Sequence, residues 1–124
     1  MARARHSLQR MLRACGHSLR GLRLGWQHET AFREEVLLSV GLIPLSFWLG
    51  RDALDVVLLN GSLVMLMVTE LFNSAIEALT DRIGTEHHEL SGRAKDYAAA
   101  AVFVVFLLML LVWGTIAYLR FSAP

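Results

Sequence analysis

Glu70, Asn73, Glu77 and Asp81 recur at spacings of 3, 4 and 4 within an otherwise apolar run from Val56 to Gly84. A helix turns by ~100° per residue, so all four fall within an arc of roughly 80°. Three carboxylates and an amide on one helix edge are the donor set for binding a cation or moving a proton. Ionisable groups at membrane depth cost of order 2.5 kcal/mol or more each, so such a stripe must face a protein interior or a water-filled cavity. A helix end emerging among lipid headgroups would account for Asp81. It does not account for Glu70, which has Val64 to Val68 before it and Leu71, Phe72, Ala75 and Ile76 after it.

The chain that must hold this stripe has 124 residues, 55% of them hydrophobic, which limits it to one small domain. The apolar residues come in long blocks, the signature of a bilayer rather than a soluble core. Residues 1–28 carry six arginines and no acid, while the remainder carries six basic and eleven acidic residues. Cys15 is the only cysteine, so an intrachain disulfide is excluded; on its helix it reads as buried apolar filler. No apolar core of a cleavable signal peptide follows the basic N-terminus.

Residues 5–27 read as an amphipathic interfacial helix. Leu8, Met11, Leu12, Cys15, Leu19, Leu22 and Trp26 form its apolar stripe, with the arginines largely off it. Gly16, Gly21 and Gly25 place a break near 21–28. Three transmembrane helices are expected, at about 30–49, 55–81 and 95–119. Pro44 should kink the first. Glu29 before it and Glu34 and Glu35 in its first turns read as headgroup-level acids, with Glu29 alternatively pointing toward the level of Glu77. Residues 84–93 read as a polar loop punctuated by Gly84 and Gly92. Gly41 and the Ala98–Ala101 run read as helix-packing positions.

Lys and Arg counts give the orientation. Ten lie in the N-terminal segment and the 82–95 loop, against Arg51 and Arg120 on the other side. The N-terminus and the 82–95 loop are therefore expected in the cytoplasm. Acids that can hold a divalent cation then lie beside bases that can hold phosphate, the parts of a phosphoryl-transfer site at a membrane surface. No Walker A or dinucleotide-binding glycine pattern occurs. His87, His88 and Glu89 lack the second histidine of a zinc helix, because position 92 is Gly. Three spans enclose a polar stripe poorly, so it should be buried against further copies of the chain.

The runs ELFNSAIEALTDRIG (70–84), HELSGRAKD (88–96) and HETAFREE (28–35) resemble the prokaryotic diacylglycerol kinase family, from about Arg10 to Trp113. The resemblance implies an all-α integral membrane homotrimer, with one interfacial helix and three spans per subunit in the bacterial cytoplasmic (inner) membrane. It implies transfer of phosphate from ATP, with Mg2+, to the hydroxyl of diacylglycerol at sites built between subunits. By the same resemblance Glu70 is the catalytic base and Glu29 and Glu77 are metal ligands. Arg10, His17, Glu29, Asn73, Glu77, Asp81, Gly92, Lys95 and Asp96 serve the nucleotide, and Glu70, Ser91 and Arg93 the lipid. Tyr97-Ala98-Ala99 is similar to the undecaprenol kinase branch, which stands as the alternative substrate class. A small proton or cation transporter and a non-catalytic lipid-sensing adaptor are the readings from other classes.

Overall fold

The computed structural model describes residues 1–122. They form four helices: α1 (Ala2–His28), α2 (Thr30–Leu49), α3 (Ala53–Ile83) and α4 (Glu89–Ser122). α3 and α4 are each long and apolar enough to cross a membrane. α2 has 20 residues, about 30 Å of helix, but carries Arg33, Glu34 and Glu35 in its first two turns.

α1 is unbroken through Gly16 and Gly21, where an added Cβ would meet open space. The break comes at Glu29, the one extended residue between α1 and α2 (φ −111°, ψ 106°). Of α1 only Gly25 is buried, at a site where an added Cβ would lie 3.2 Å from both Leu71 Cδ2 and Phe32 Cδ1. This close approach seats the end of α1 against α2 and α3. The apolar stripe of α1 is exposed, and so is Cys15, contrary to its reading as buried filler. Among the described residues no helix covers that side, so the cysteine has nothing to fill.

The turn from α2 to α3 is tight. An added Cβ at Gly50 would come within 2.8 Å of Val56 Cγ2 and 3.0 Å of the Ser46 carbonyl, so only glycine fits without a shift. Asp52 caps α3 by accepting from the Asp55 N–H (2.9 Å). Arg51 donates through Nε to Asp55 Oδ2 at 2.8 Å, which satisfies a carboxylate that is otherwise buried.

α4 begins at Glu89, so the expected 84–93 loop is only five residues long and Gly92 lies inside a helix. His88 Nδ1 accepts from the Leu90 N–H (3.1 Å), and Arg93 pairs with Glu89 at 2.6 Å across one turn. A single helical glycine costs about 1 kcal/mol, which a cap and a continuing helix can offset.

The core lies where α2, α3 and α4 meet. Leu49, Leu59 and Ile116 form one buried cluster, and Leu63, Leu66 and Met109 the next, with Trp113 packed against both. Within this core two polar contacts join the helices. Asn60 Nδ2 donates to Ser46 Oγ (2.8 Å) between α3 and α2, and Trp113 Nε1 donates to Ser62 Oγ (3.1 Å) between α4 and α3. Much of the remaining apolar surface is uncovered, including Leu37, Val40, Phe47, Val64, Phe72, Phe103 and Leu111. Such a surface needs a bilayer or further protein to cover it, as in a small membrane protein. Gly41 is among the exposed positions, so it packs on nothing within this chain.

A double-mutant cycle of Trp113→Phe and Ser62→Ala cancels the packing lost with the indole and isolates the Trp113–Ser62 bond. Interhelical hydrogen bonds in membranes average about 0.6 kcal/mol and reach about 1.7. Reversible unfolding in mixed micelles should show a coupling energy of that size; a coupling of zero would mean that the bond contributes nothing.

Candidate functional site

The buried face of α3 runs Leu59, Ser62, Leu63, Leu66, Glu70. These spacings keep one face of the helix, so the line that carries the core changes from apolar to acidic at Glu70 and continues through Asn73 and Glu77. Glu70 is 7% exposed. Its carboxyl is neither ion-paired nor bonded to a backbone group among the described residues. It meets the carboxyl of Glu35 from α2 within hydrogen-bonding reach. Two ionised carboxylates have only acceptors to offer one another.

Sequence alone does not separate Glu35 from Glu34. The two differ in direction: Glu34 is exposed, whereas Glu35 lies between Phe32 and Ser39, the buried positions of α2. The signal that could have found it is that 3 and 4 spacing, which α2 shows only weakly because its outer face is apolar as well.

Beyond Glu70 the stripe opens toward solvent. Asn73 Nδ2 donates to Glu77 Oε1 at 3.3 Å, and the Thr80 hydroxyl donates to the Glu77 carbonyl (3.0 Å). Asp81 pairs with Lys95 at 2.7 Å, joining α3 to the second turn of α4. Ser91 and Gly92 are half-buried one turn earlier, while Arg93 is engaged by Glu89 and Asp96 is exposed. Gly84, His87, His88, Ser91, Gly92 and Lys95 line a cleft of about 270 Å³ at this end. Glu29 is half-buried and faces α3 beside the stripe. It lines, with Gly25, His28, Leu71 and Ser74, a groove of about 810 Å³ between α1 and α3.

Arg10 and His17 do not join these residues within one chain. Both are exposed on α1. At 1.5 Å of rise per residue they stand about 28 Å and 18 Å along the helix from Glu29.

Among the described residues no group of three or more His, Cys, Asp or Glu could hold a metal ion by itself. A magnesium ion that arrives with nucleotide phosphates needs only one or two protein carboxylates. The residues fit that lesser demand. Glu77 meets no base, and Asn73 Oδ1 and Glu35 Oε2 are buried oxygens without a partner among the described residues. Unsatisfied buried oxygens are uncommon and mark places where a donor or ion is missing.

Known proteins are similar to this chain over most of its length. The family model for prokaryotic diacylglycerol kinase matches residues 16–117. A diacylglycerol kinase of Haemophilus influenzae is 45% identical over 111 residues, covering 90% of this chain and 94% of the relative. One of Escherichia coli strain K12 is 41% identical over 122 residues, covering 98% of this chain and all of the relative. One of Pseudomonas aeruginosa is 42% identical over 109 residues, covering 88% and 89%.

Proposed function

The chain belongs to the prokaryotic diacylglycerol kinase family, and on that premise we propose that it transfers the γ-phosphate of ATP to the free hydroxyl of diacylglycerol, giving phosphatidic acid. The observation that carries the reading is the position of Glu70. It sits at the inner end of a carboxylate stripe, where an apolar helix face gives way to a solvent-open one. A lipid hydroxyl waits at headgroup depth, anchored by its chains. A base that takes its proton must lie at that depth, below the groups that handle the water-borne nucleotide. The helix rise from Glu70 to Glu77 is about 10 Å.

In this reading Glu70 accepts the proton as the lipid oxygen attacks the γ-phosphorus, and the bond to the β-phosphate oxygen breaks to release ADP. Glu35 holds the Glu70 carboxyl in place. Glu29 and Glu77 hold Mg2+, which when bound neutralises charge on the transferring phosphates. Asn73, Asp81, Gly92, Lys95 and Asp96 position the nucleotide, and Ser91 and Arg93 lie near the lipid headgroup. The relatives named above are diacylglycerol kinases, which favours diacylglycerol over undecaprenol as the acceptor.

α2, α3 and α4 are the three spans, with the N-terminus and the 84–88 loop on the cytoplasmic side of the bacterial inner membrane, as the Lys and Arg distribution supports. α1 lies in the interface with its exposed apolar stripe in lipid. The working unit is a homotrimer with each site shared between subunits. The support is geometric: Arg10 and His17 stand far from their own chain's stripe, and the apolar surface beside Glu70 is uncovered by its own chain.

Glu70→Gln keeps shape and removes the base. Turnover should fall by at least ~10²-fold, with ATP binding retained in an equilibrium assay. Turnover within a few-fold of wild type would reject the role. For the shared site, chains carrying Glu70→Gln and chains carrying Arg10→Ala, each inactive alone, would be mixed and reassembled. Recovered activity is expected, because one site would draw these two residues from different chains. No recovery, with mixed trimers confirmed by mass, would put both on one chain.

A further inference from the structure

α1 ends abruptly, and its last carbonyls need donors. The Gly25 carbonyl receives the Glu29 N–H at 2.9 Å. The next two are taken by one side chain from α2: Arg33 donates through Nε to the Trp26 carbonyl (2.9 Å) and through Nη2 to the Gln27 carbonyl (3.0 Å). Its guanidinium also lies 5.7 Å from the centroid of the Trp26 ring. The Arg33 N–H donates to the Glu29 carbonyl at 3.1 Å. Glu29 is thus held by hydrogen bonds on both sides, and the residue that closes the clasp is Arg33. Among the described residues Arg33 has no carboxylate partner, although Glu29, Glu34 and Glu35 are all near in sequence. Its fork is used on the main chain.

We propose that Arg33 is a positioning residue for Glu29: its fork on the end of α1 sets the angle between α1 and α2, and so fixes where the Glu29 carboxylate stands against α3. This rests on the reading of Glu29 as a magnesium ligand. Three features support it. Glu29 is the only residue between the two helices, so a small change in their angle moves its side chain with nothing else to absorb the change. The groove it lines is bounded on the α1 side by Gly25 and His28 in the same clasped turn. And the two bonds need a planar, two-pronged donor. Lysine keeps the charge but delivers its donors from a single nitrogen, without the fixed geometry of the fork.

The test is binding without turnover. Mn2+ would stand in for Mg2+, with free Mn2+ read by electron paramagnetic resonance as it is titrated into purified protein holding a non-hydrolysable ATP analogue. Arg33→Lys should weaken Mn2+ binding about tenfold, the lower end of what loss of an outer support costs a metal site. The affinity for the analogue at saturating Mn2+ and the KM for lipid should stay within about twofold. Trp26→Leu, which removes the stack and leaves both hydrogen bonds, should shift Mn2+ in the same direction by less, and it serves if Arg33→Lys does not fold. Wild-type Mn2+ affinity in Arg33→Lys, or in Trp26→Leu where only that variant folds, would overturn the proposal. So would a change confined to lipid KM or analogue affinity, which would make Arg33 a ligand contact. Glu29→Gln separates the two levels. If it weakens Mn2+ while Arg33→Lys does not, the positioning role alone fails; if Glu29→Gln itself binds Mn2+ normally, the metal reading fails and takes the positioning role with it.

Discussion

Burying a carboxyl group at the end of an apolar helix face is the constraint on which the rest of this molecule turns. Glu70 occupies the position after Leu66 on the face of α3 that packs against α2 and α4. An apolar residue there would extend the core by one more turn at no cost. A carboxyl there demands a partner, and α2 supplies Glu35, itself an acid. Such a pair stabilises a fold poorly, since two like groups are taken out of water together with few donors at hand. Two buried side-chain oxygens, on Asn73 and on Glu35 itself, lack partners as well. Arrangements of this kind persist where chemistry needs them.

The surrounding architecture follows from keeping that pair at a fixed depth. The two hydrophobic clusters and the Asn60–Ser46 and Trp113–Ser62 contacts lock α2, α3 and α4 on the far side of it. On the near side the stripe opens toward Lys95 and the short 84–88 loop. Glu29 stands beside α3 because α1 turns at a single extended residue, clasped by Arg33. Water-soluble and lipid-soluble reactants can therefore approach one line of side chains from opposite ends.

The stripe itself is legible in the sequence, because acids held at helical spacing inside an apolar run cost too much to persist on a lipid-facing surface. So is the all-helical character, since the helices follow the long apolar blocks and the amphipathic pattern of α1. Other features are hidden. Glu35 sits beside Glu34, and only the three-dimensional path of α2 tells which of two adjacent acids turns inward. Helix α4 starts at Glu89 because of a histidine cap and an Arg93–Glu89 pair, local interactions that outweigh the helix-breaking tendency of Gly92. The distance of Arg10 and His17 from the stripe depends on α1 remaining helical through three glycines, which propensity alone disfavours. The role of Arg33 is invisible for a related reason: its partners are backbone carbonyls, which carry no sequence signature.

Moving phosphate from ATP to a membrane lipid is the task proposed for this line of side chains. Purified protein in mixed micelles containing equal diacylglycerol and undecaprenol, given ATP labelled in the γ-phosphate and Mg2+, measures it directly. The account predicts label in phosphatidic acid, formed in step with ADP and absent when either ATP or diacylglycerol is withheld. Label in undecaprenyl phosphate instead would contradict the assigned acceptor, and label in neither lipid would contradict the kinase itself.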